Sequence, residues 1–280
     1  MEKKWPTFVV AIVVSLLVTA CSLDKNEQDN IAALVNEEPI TVDDLHTGVD
    51  QWEMSLEIQT KADRQNNESI PEIPEALQAD FEQFLLDMNV TPADLSEEQE
   101  AFLKSQYTYF KEFNGNADFN NEEYRYIKRA YNNIVFAPDE SEALSRQIRD
   151  MVLYQEALKQ GFQVPETEAR EMYKTIITPK ELEPESEEYF KYLEYLKIED
   201  EVIKKHGYQS REAYLNQQFT SYAKSISIAR LKNSFLEEWM VQYPDLQGYE
   251  YRIKSENAWY DYTENLVNQV DIEICIIAQQ

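Results

Sequence analysis

Side chains able to do chemistry are unevenly stocked in this sequence. Its 280 residues carry 53 carboxylates but only two histidines and two cysteines. A pair of carboxylates can act as general acid and base when held at a fixed separation, as in glycoside hydrolysis. Among 53 acids no spacing singles out two. Asp43-Asp44 and Glu166-x-Glu168 instead fit helix N-termini, where acids complement the dipole. His46 falls in the first expected helix and His206 just before a helix stop. Neither has a Cys or a second His at ligand spacing, so they read as an ordinary surface residue and a C-terminal cap. No Asp-x-Asp-x-Asp-Gly loop offers a calcium cage. Five glycines leave little for the turns of dinucleotide or phosphate loops. The expectation is a chain with no catalytic residue, no metal site and no cofactor.

One cysteine does stand in a pattern with chemical meaning. Met1-Glu2-Lys3-Lys4 is a basic start, and Phe8 to Ala20 is an apolar run. That run is shorter than the roughly 20 residues of a comfortable membrane span and fits the core of a secretory signal. It ends Val18-Thr19-Ala20-Cys21, small residues directly before a Cys, as in the bacterial lipobox. Residues 1–20 are therefore expected to be a lipoprotein signal peptide and Cys21 the lipidated residue. The body would then lie on the extracytoplasmic face of the cell membrane. Acyl chains buried at about 0.8 kcal/mol per CH₂ make a multi-chain anchor effectively permanent. Cys275 would be left as the one thiol, with no intramolecular partner for a disulfide.

The formal charge is −27, which argues against a nucleic-acid partner, since a phosphate-backbone binder needs a basic face. Residues 21–100 hold 21 acidic and 3 basic side chains, a net of −18. A solvated face accounts for that charge; attraction of basic clients and weak divalent-cation binding are the functional alternatives. Apolar residues at 43% are too many for a disordered chain. The 18 tyrosines cluster as Tyr107-Thr108-Tyr109-Phe110, Tyr189-Phe190-Lys191-Tyr192, Tyr249-Glu250-Tyr251 and Trp259-Tyr260-Asp261-Tyr262. Most read as packing, while some could line a groove, where Tyr and Trp hold apolar peptide surface and keep a polar tip wet. Sequence does not say which ones, so the binding residues stay unassigned.

The elements that must position such a groove are mainly helical. Residues 21–30 are a polar tether, followed by a strand at about 31–35 and a turn at Asn36-Glu37-Glu38-Pro39. Thr41 and Asp44 look like the ends of a capping box opening a helix to about Gln59. A loop is expected over 61–75, then helices at roughly 75–88, 96–113 and 121–132. Leu144, Ile148, Met151, Val152 and Leu158 recur at helical spacing up to Gly161. A helix is expected from Pro165-Glu166 to about Ile177. Past an acidic connection bracketed by Pro179 and Pro184, one carrying Tyr189, Leu193, Leu196 and Ile203 runs up to a stop at Gly207, and then one covers 211–243. In the last of these the apolar stripe changes phase between Ile226 and Ile228, which predicts a kink or a change of partner. A final helix is expected at 255–267. Val270, Ile272, Ile274 and Ile276 alternate with polar neighbours, a strand at about 270–277. Unpaired strands would orphan their backbone groups, so the two strands are expected to pair. The predicted body is a single domain over 31–280 with an acidic insertion at about 60–135.

Ala33-Leu34-Val35-Asn36-Glu37-Glu38-Pro39-Ile40-Thr41 resembles the opening of the SurA/PrsA-type chaperone domain, a Val-Asn-Gly-Glu-x-Ile-Thr strand leading straight into a helix. Gln147-Ile148-Arg149-Asp150-Met151-Val152-Leu153-Tyr154-Gln155-Glu156-Ala157, followed by Lys159 to Pro165, is similar to that family's helix-and-turn. Gly207 to Tyr214 looks like a later helix start. Glu37 stands where the family usually has Gly, so the resemblance predicts a different turn, since Glu does not freely take a positive φ. The family's Gly-rich parvulin sheet with paired His has no counterpart after residue 165.

The resemblance implies a multi-helix SurA N-terminal-like domain without the isomerase half. It implies a membrane-anchored, ATP-independent holdase for unfolded or exported polypeptides, with prolyl-isomerase turnover absent. The alternative is an adaptor lipoprotein that holds one dedicated protein partner at the envelope.

Overall fold

The computed structural model describes residues 30–65, 72–114, 118–133, 139–177 and 186–275. The expected signal peptide (residues 1–20), Cys21, residues 22–29 of the expected tether and the connection at Pro179 and Pro184 lie outside the described residues. The body is mainly helical, closed by a small sheet that joins the two ends of the described chain.

Strand β1 (Ile31–Val35) is central, flanked by β2 (Glu38–Thr41) and β3 (Ile272–Ile274), both antiparallel to it. The expected pairing of N- and C-terminal strands is present, with Ala33 opposite Ile274 and Val35 opposite Ile272. Asn36 N donates to Asp271 O at 2.9 Å and Cys275 N to Ala32 O at 3.0 Å, extending the ladder at both ends. Residues 276–277 of the expected strand lie outside the described residues.

The sheet has a third strand that the sequence reading placed in a turn. Only Asn36 and Glu37 turn, and Glu38 and Pro39 pair with Val35 and Leu34. Pro39 is tolerated because β2 is an edge strand, where no neighbour needs its missing N–H. Asn36 and Glu37 both have positive φ, 50° and 69°, as a type I′ hairpin turn requires. Glu37 therefore takes the backbone conformation that favours glycine, despite its side chain. Its side chain is exposed, so Glu37→Gly is expected to stabilise the chain by about 0.5–1 kcal/mol. Thermal or urea unfolding checks this; a lowered midpoint would contradict the turn assignment.

Helix α1 (Val42–Gln65) follows without a linker. Asp44 N donates to Thr41 Oγ1 at 3.0 Å, and Asp44 Oδ2 accepts from Thr41 N at 3.1 Å, the expected capping box. The helix continues six residues past Gln59 into the stretch read as a loop. Helices α2 (Gln78–Asp87), α3 (Glu97–Asn114) and α4 (Asn121–Asn133) pack their own aromatic core. Phe81, Phe84, Leu103, Tyr107, Phe110 and Ile127 are its buried centre.

Helix α5 (Glu140–Lys159) organises the rest. One face puts Ala143, Leu144, Ile148 and Val152 against β1 and Leu45. The other puts Leu153 and Ala157 against Leu231 and Trp259. It ends as predicted at Gly161, whose φ is 81°, with Phe162 N bonded to Ala157 O at 2.8 Å. Then come α6 (Glu166–Ile177), α7 (Glu187–Lys205), α8 (Arg211–Gln242) and α9 (Gly248–Val267). The phase change in α8 is a change of partner. Ala223 and Ile226 pack on Val164 and Ala169, whereas Ile228, Leu231 and Phe235 pack on α5 and α9.

Helix α9 begins seven residues before the expected Ser255, because its first turns have a job in packing. Tyr249 and Ile253 close the aromatic core of α2–α4. Tyr249 Oη donates to the buried Glu123 at 2.8 Å, and Asn257 Nδ2 donates to Glu122 O at 3.0 Å. Burial opposes ionisation of Asp261, but hydrogen bonds from Arg129 and Arg125 hold its carboxyl below the usual range.

Glu57 ties α1 to the end of α7. It accepts from Lys205 at 2.8 Å and Lys61 at 3.0 Å, and faces His206 Nε2 at 3.3 Å. The two lysines hold its carboxyl down to about 2. A depressed carboxylate contributes stability that is present above its unfolded pKa and lost as pH falls through its folded one. Discounted for solvent screening, Glu57→Gln is expected to cost about 1 kcal/mol near neutral pH. The gap from wild type should shrink between pH 4.5 and about 2. Urea midpoints across that range test this; a pH-independent gap would contradict it.

Candidate functional site

Helices α1, α5 and α8 converge where Gly48 lets two of them approach closely. A Cβ on Gly48 would lie 2.6 Å from Gln147 Nε2, which donates to Asp44 O at 2.7 Å. Gln51 on α1 reaches across to Gln218 on α8 at 2.6 Å. Beside these contacts the three helices enclose a groove of about 400 Å³.

The groove walls come from residues just off each helix's core stripe. Leu45, Met54 and Ile58 are the buried positions of α1, and Trp52 stands beside them, half-buried. Ile148, Val152 and Leu153 are core on α5, while Met151 and Tyr154 face the groove. Ile228 completes the apolar lining from α8. Ser55, Ser221 and Ser225 give a polar rim. A slot of aromatic, thioether and aliphatic side chains with hydroxyls around it suits an apolar segment bound loosely.

Four charged residues line it: Asp44, Arg146, Asp150 and Lys224. The Arg146 guanidinium lies over the Trp52 ring, 4.0 Å from its centroid. Lys224 Nζ is 5.6 Å from the centroid of Tyr154. Asp44 is engaged in the cap of α1. Asp150 makes no hydrogen bond or ion pair among the described residues, although Arg146 and Arg149 are close enough to act on it. Its side chain is exposed at the edge of the groove; desolvation by the neighbouring protein pushes its carboxyl above the usual range, and those two arginines act against this. Desolvation acts in the opposite direction on Arg146, also exposed, pushing its guanidinium down.

The residues singled out in the sequence lie elsewhere. His46 is exposed, 3.4 Å from Glu140, and His206 is the C-cap of α7. Glu166 and Glu168 sit in the first turn of α6 and are bound across to Thr220 and Arg230 on α8. Among the described residues no group of three or more His, Cys, Asp or Glu could hold a metal ion. No described helix is long and apolar enough to cross a membrane. Tyr107 and Phe110 are core, Tyr249 stacks on Phe113, and Trp259 and Tyr262 pack on Phe235. None of the four tyrosine runs supplies the groove. Its aromatics, Trp52 and Tyr154, are isolated in sequence, and no motif in the chain marks them as neighbours.

The chain matches no known family, no curated protein and no solved structure.

Proposed function

We propose that this protein is a membrane-anchored, ATP-independent chaperone-like lipoprotein that holds unfolded or exported polypeptides by reversible, non-catalytic contact. The observation that carries this reading is the groove between α1, α5 and α8. It keeps Trp52, Met151, Tyr154 and Ile228 within reach of solvent while its rim stays polar. Such a surface binds apolar segments without reading their order, because Met and aromatic side chains adapt to many shapes. The resemblance to SurA/PrsA-type chaperones in residues 33–41 and 144–168 supports the same reading, as does the absence from the sequence of a Gly-rich phosphate loop. Cys21 is the proposed lipidation site, and the lipid anchor would fix the body on the outer face of the membrane.

Every described core cluster is assembled from residues 32–272, so a chain beginning at Ser22 keeps the fold. That chain, mixed with an aggregating reduced client, is expected to suppress light scattering at stoichiometric ratios by binding the unfolded form. Unchanged scattering at excess would contradict the reading. A pull-down distinguishes the adaptor alternative, which requires one stoichiometric partner in place of many weak clients.

A further inference from the structure

We propose that the protein holds one polypeptide at two places, a first apolar segment in the groove and a second on the bare tip where α8 ends. Trp239, Met240, Val241 and Tyr243 form that tip. This inference rests on the reading of the groove as the client site and adds the class of client held most tightly, a chain with two apolar segments.

The tip is apolar surface that the fold leaves uncovered. Met240, Val241 and Tyr243 are 46%, 80% and 47% exposed. The Trp239 ring is half-buried, 4.6 Å from the Tyr243 ring and 6.0 Å from that of Tyr251 on α9, centroid to centroid. None of the four belongs to a core cluster among the described residues. Single exposed apolar side chains are ordinary, but a contiguous group of them marks a contact surface. Helix α8 sets where this one lies. Trp239 and Tyr243 stand about five whole turns beyond Ser221 and Ser225 of the groove rim, so all four fall on one side of the helix. Ile228 in the groove is about 16 Å from Trp239 along the helix axis. A flexible stretch of 10 to 20 residues averages about 17–25 Å end to end, so one chain reaches both places.

Other occupants fit the tip less well. A stable homodimer buries about 800 Å² of each copy through roughly 20–30 residues. Four side chains at a helix end supply far less, and two chains of charge −27 repel. Trp and Tyr also suit a bilayer interface. Here exposed Glu237, Glu238, Asp245 and Glu250 flank them in the chain, which opposes contact with an anionic lipid surface. Helix α9 runs about 30 Å from Gly248, next to the tip, to Val267, which packs on the core beneath the sheet where the described chain begins. The tip is therefore at the end of α9 away from the proposed anchor. A second apolar segment of a bound chain needs no larger surface, because the first holds it near the tip at an effective concentration of about 1 mM. A tip that binds such a segment with a Kd of only about 0.1 mM then adds about tenfold to the affinity of the whole.

The test uses the chain from Ser22 and two fluorescein-labelled peptides of equal length. One joins two identical apolar segments by a Gly-Ser linker of about 20 residues, matched to the span. In the other, the second segment is replaced by glutamine and serine. Anisotropy is expected to show the two-segment peptide binding about tenfold tighter. Val241→Asp combined with Tyr243→Ser is expected to cut that gain to about twofold, the statistical benefit of offering two segments to one site. The affinity of the one-segment peptide should stay unchanged. Both side chains lie largely in solvent, so the urea midpoint should match the wild type. No gain in the wild type, or a gain undiminished in the variant, would overturn the second contact while leaving the groove as a client site. So would a dimer, or binding to phosphatidylglycerol vesicles, that the two substitutions abolish, since either gives the tip another occupant. Binding of neither peptide would overturn the reading beneath it as well.

Discussion

Phe84→Ala is expected to cost about 3–5 kcal/mol and to melt α2, α3 and α4 while the sheet and α5 stay folded. Phe84 is 1% exposed. Its ring lies 5.1 Å from Phe119, 5.5 Å from Tyr107 and 5.9 Å from both Phe81 and Tyr124, centroid to centroid. Truncation removes the shared neighbour of all four and leaves a cavity that rigid rings cannot collapse into. The loss should stay local because α9 carries the described docking of this aromatic core on the body. Tyr249 and Ile253 provide the apolar part of that docking. Polar contacts add to it, through Glu122, Glu123, Arg125, Arg129 and Arg252, the last bonded to Tyr109. Units joined this way open separately. Hydrogen exchange should show residues 78–133 losing protection in the variant while Ala32 to Val35 and Ile148 to Ala157 keep theirs. Simultaneous loss across the whole chain would mean that the two cores fold as one unit.

Trp52→Ala is expected to weaken binding of an unfolded client at least tenfold, with Trp52→Phe restoring most of it. A buried aromatic anchor at the centre of a contact commonly contributes 2 kcal/mol or more, and each 1.4 kcal/mol is tenfold in affinity. Trp52 is half-buried and also seats Arg146, so its removal strips the groove of an indole ring and takes away the face on which that guanidinium lies. Anisotropy of a labelled client measures the effect, and urea unfolding separates it from loss of fold. Wild-type affinity in a folded Trp52→Ala variant would place client binding elsewhere.

Much of the frame is legible in the residues. Ile272 and Ile274 alternate with polar neighbours, and that period of two marks a strand wherever it lands. A strand near each end then needs a partner, and the two found each other. Thr41 with Asp44, Gly161 and Gly207 act locally, through caps and left-handed turns, so their positions carry over directly. The β1–β2 hairpin is harder to see. Its turn lacks the Gly that usually marks one, and Pro39 reads as a breaker unless the strand is known to be an edge. The start of α9 is hidden because Tyr249 and Ile253 answer to a core more than 100 residues earlier in the chain. The groove is the least legible feature. Trp52, Met151, Tyr154 and Ile228 share no motif, and only the packing of three helices makes them neighbours. Asp150 is one of 53 acids until its surroundings are known.

The most direct measurement is site-specific photo-cross-linking to an unfolded client. A photoreactive side chain at Met151, inside the groove, is expected to capture client along its apolar segments. The same group at Leu86, 61% exposed on the outside of α2, is expected to capture little. Comparable yields from both positions, or capture from Leu86 alone, would contradict the account.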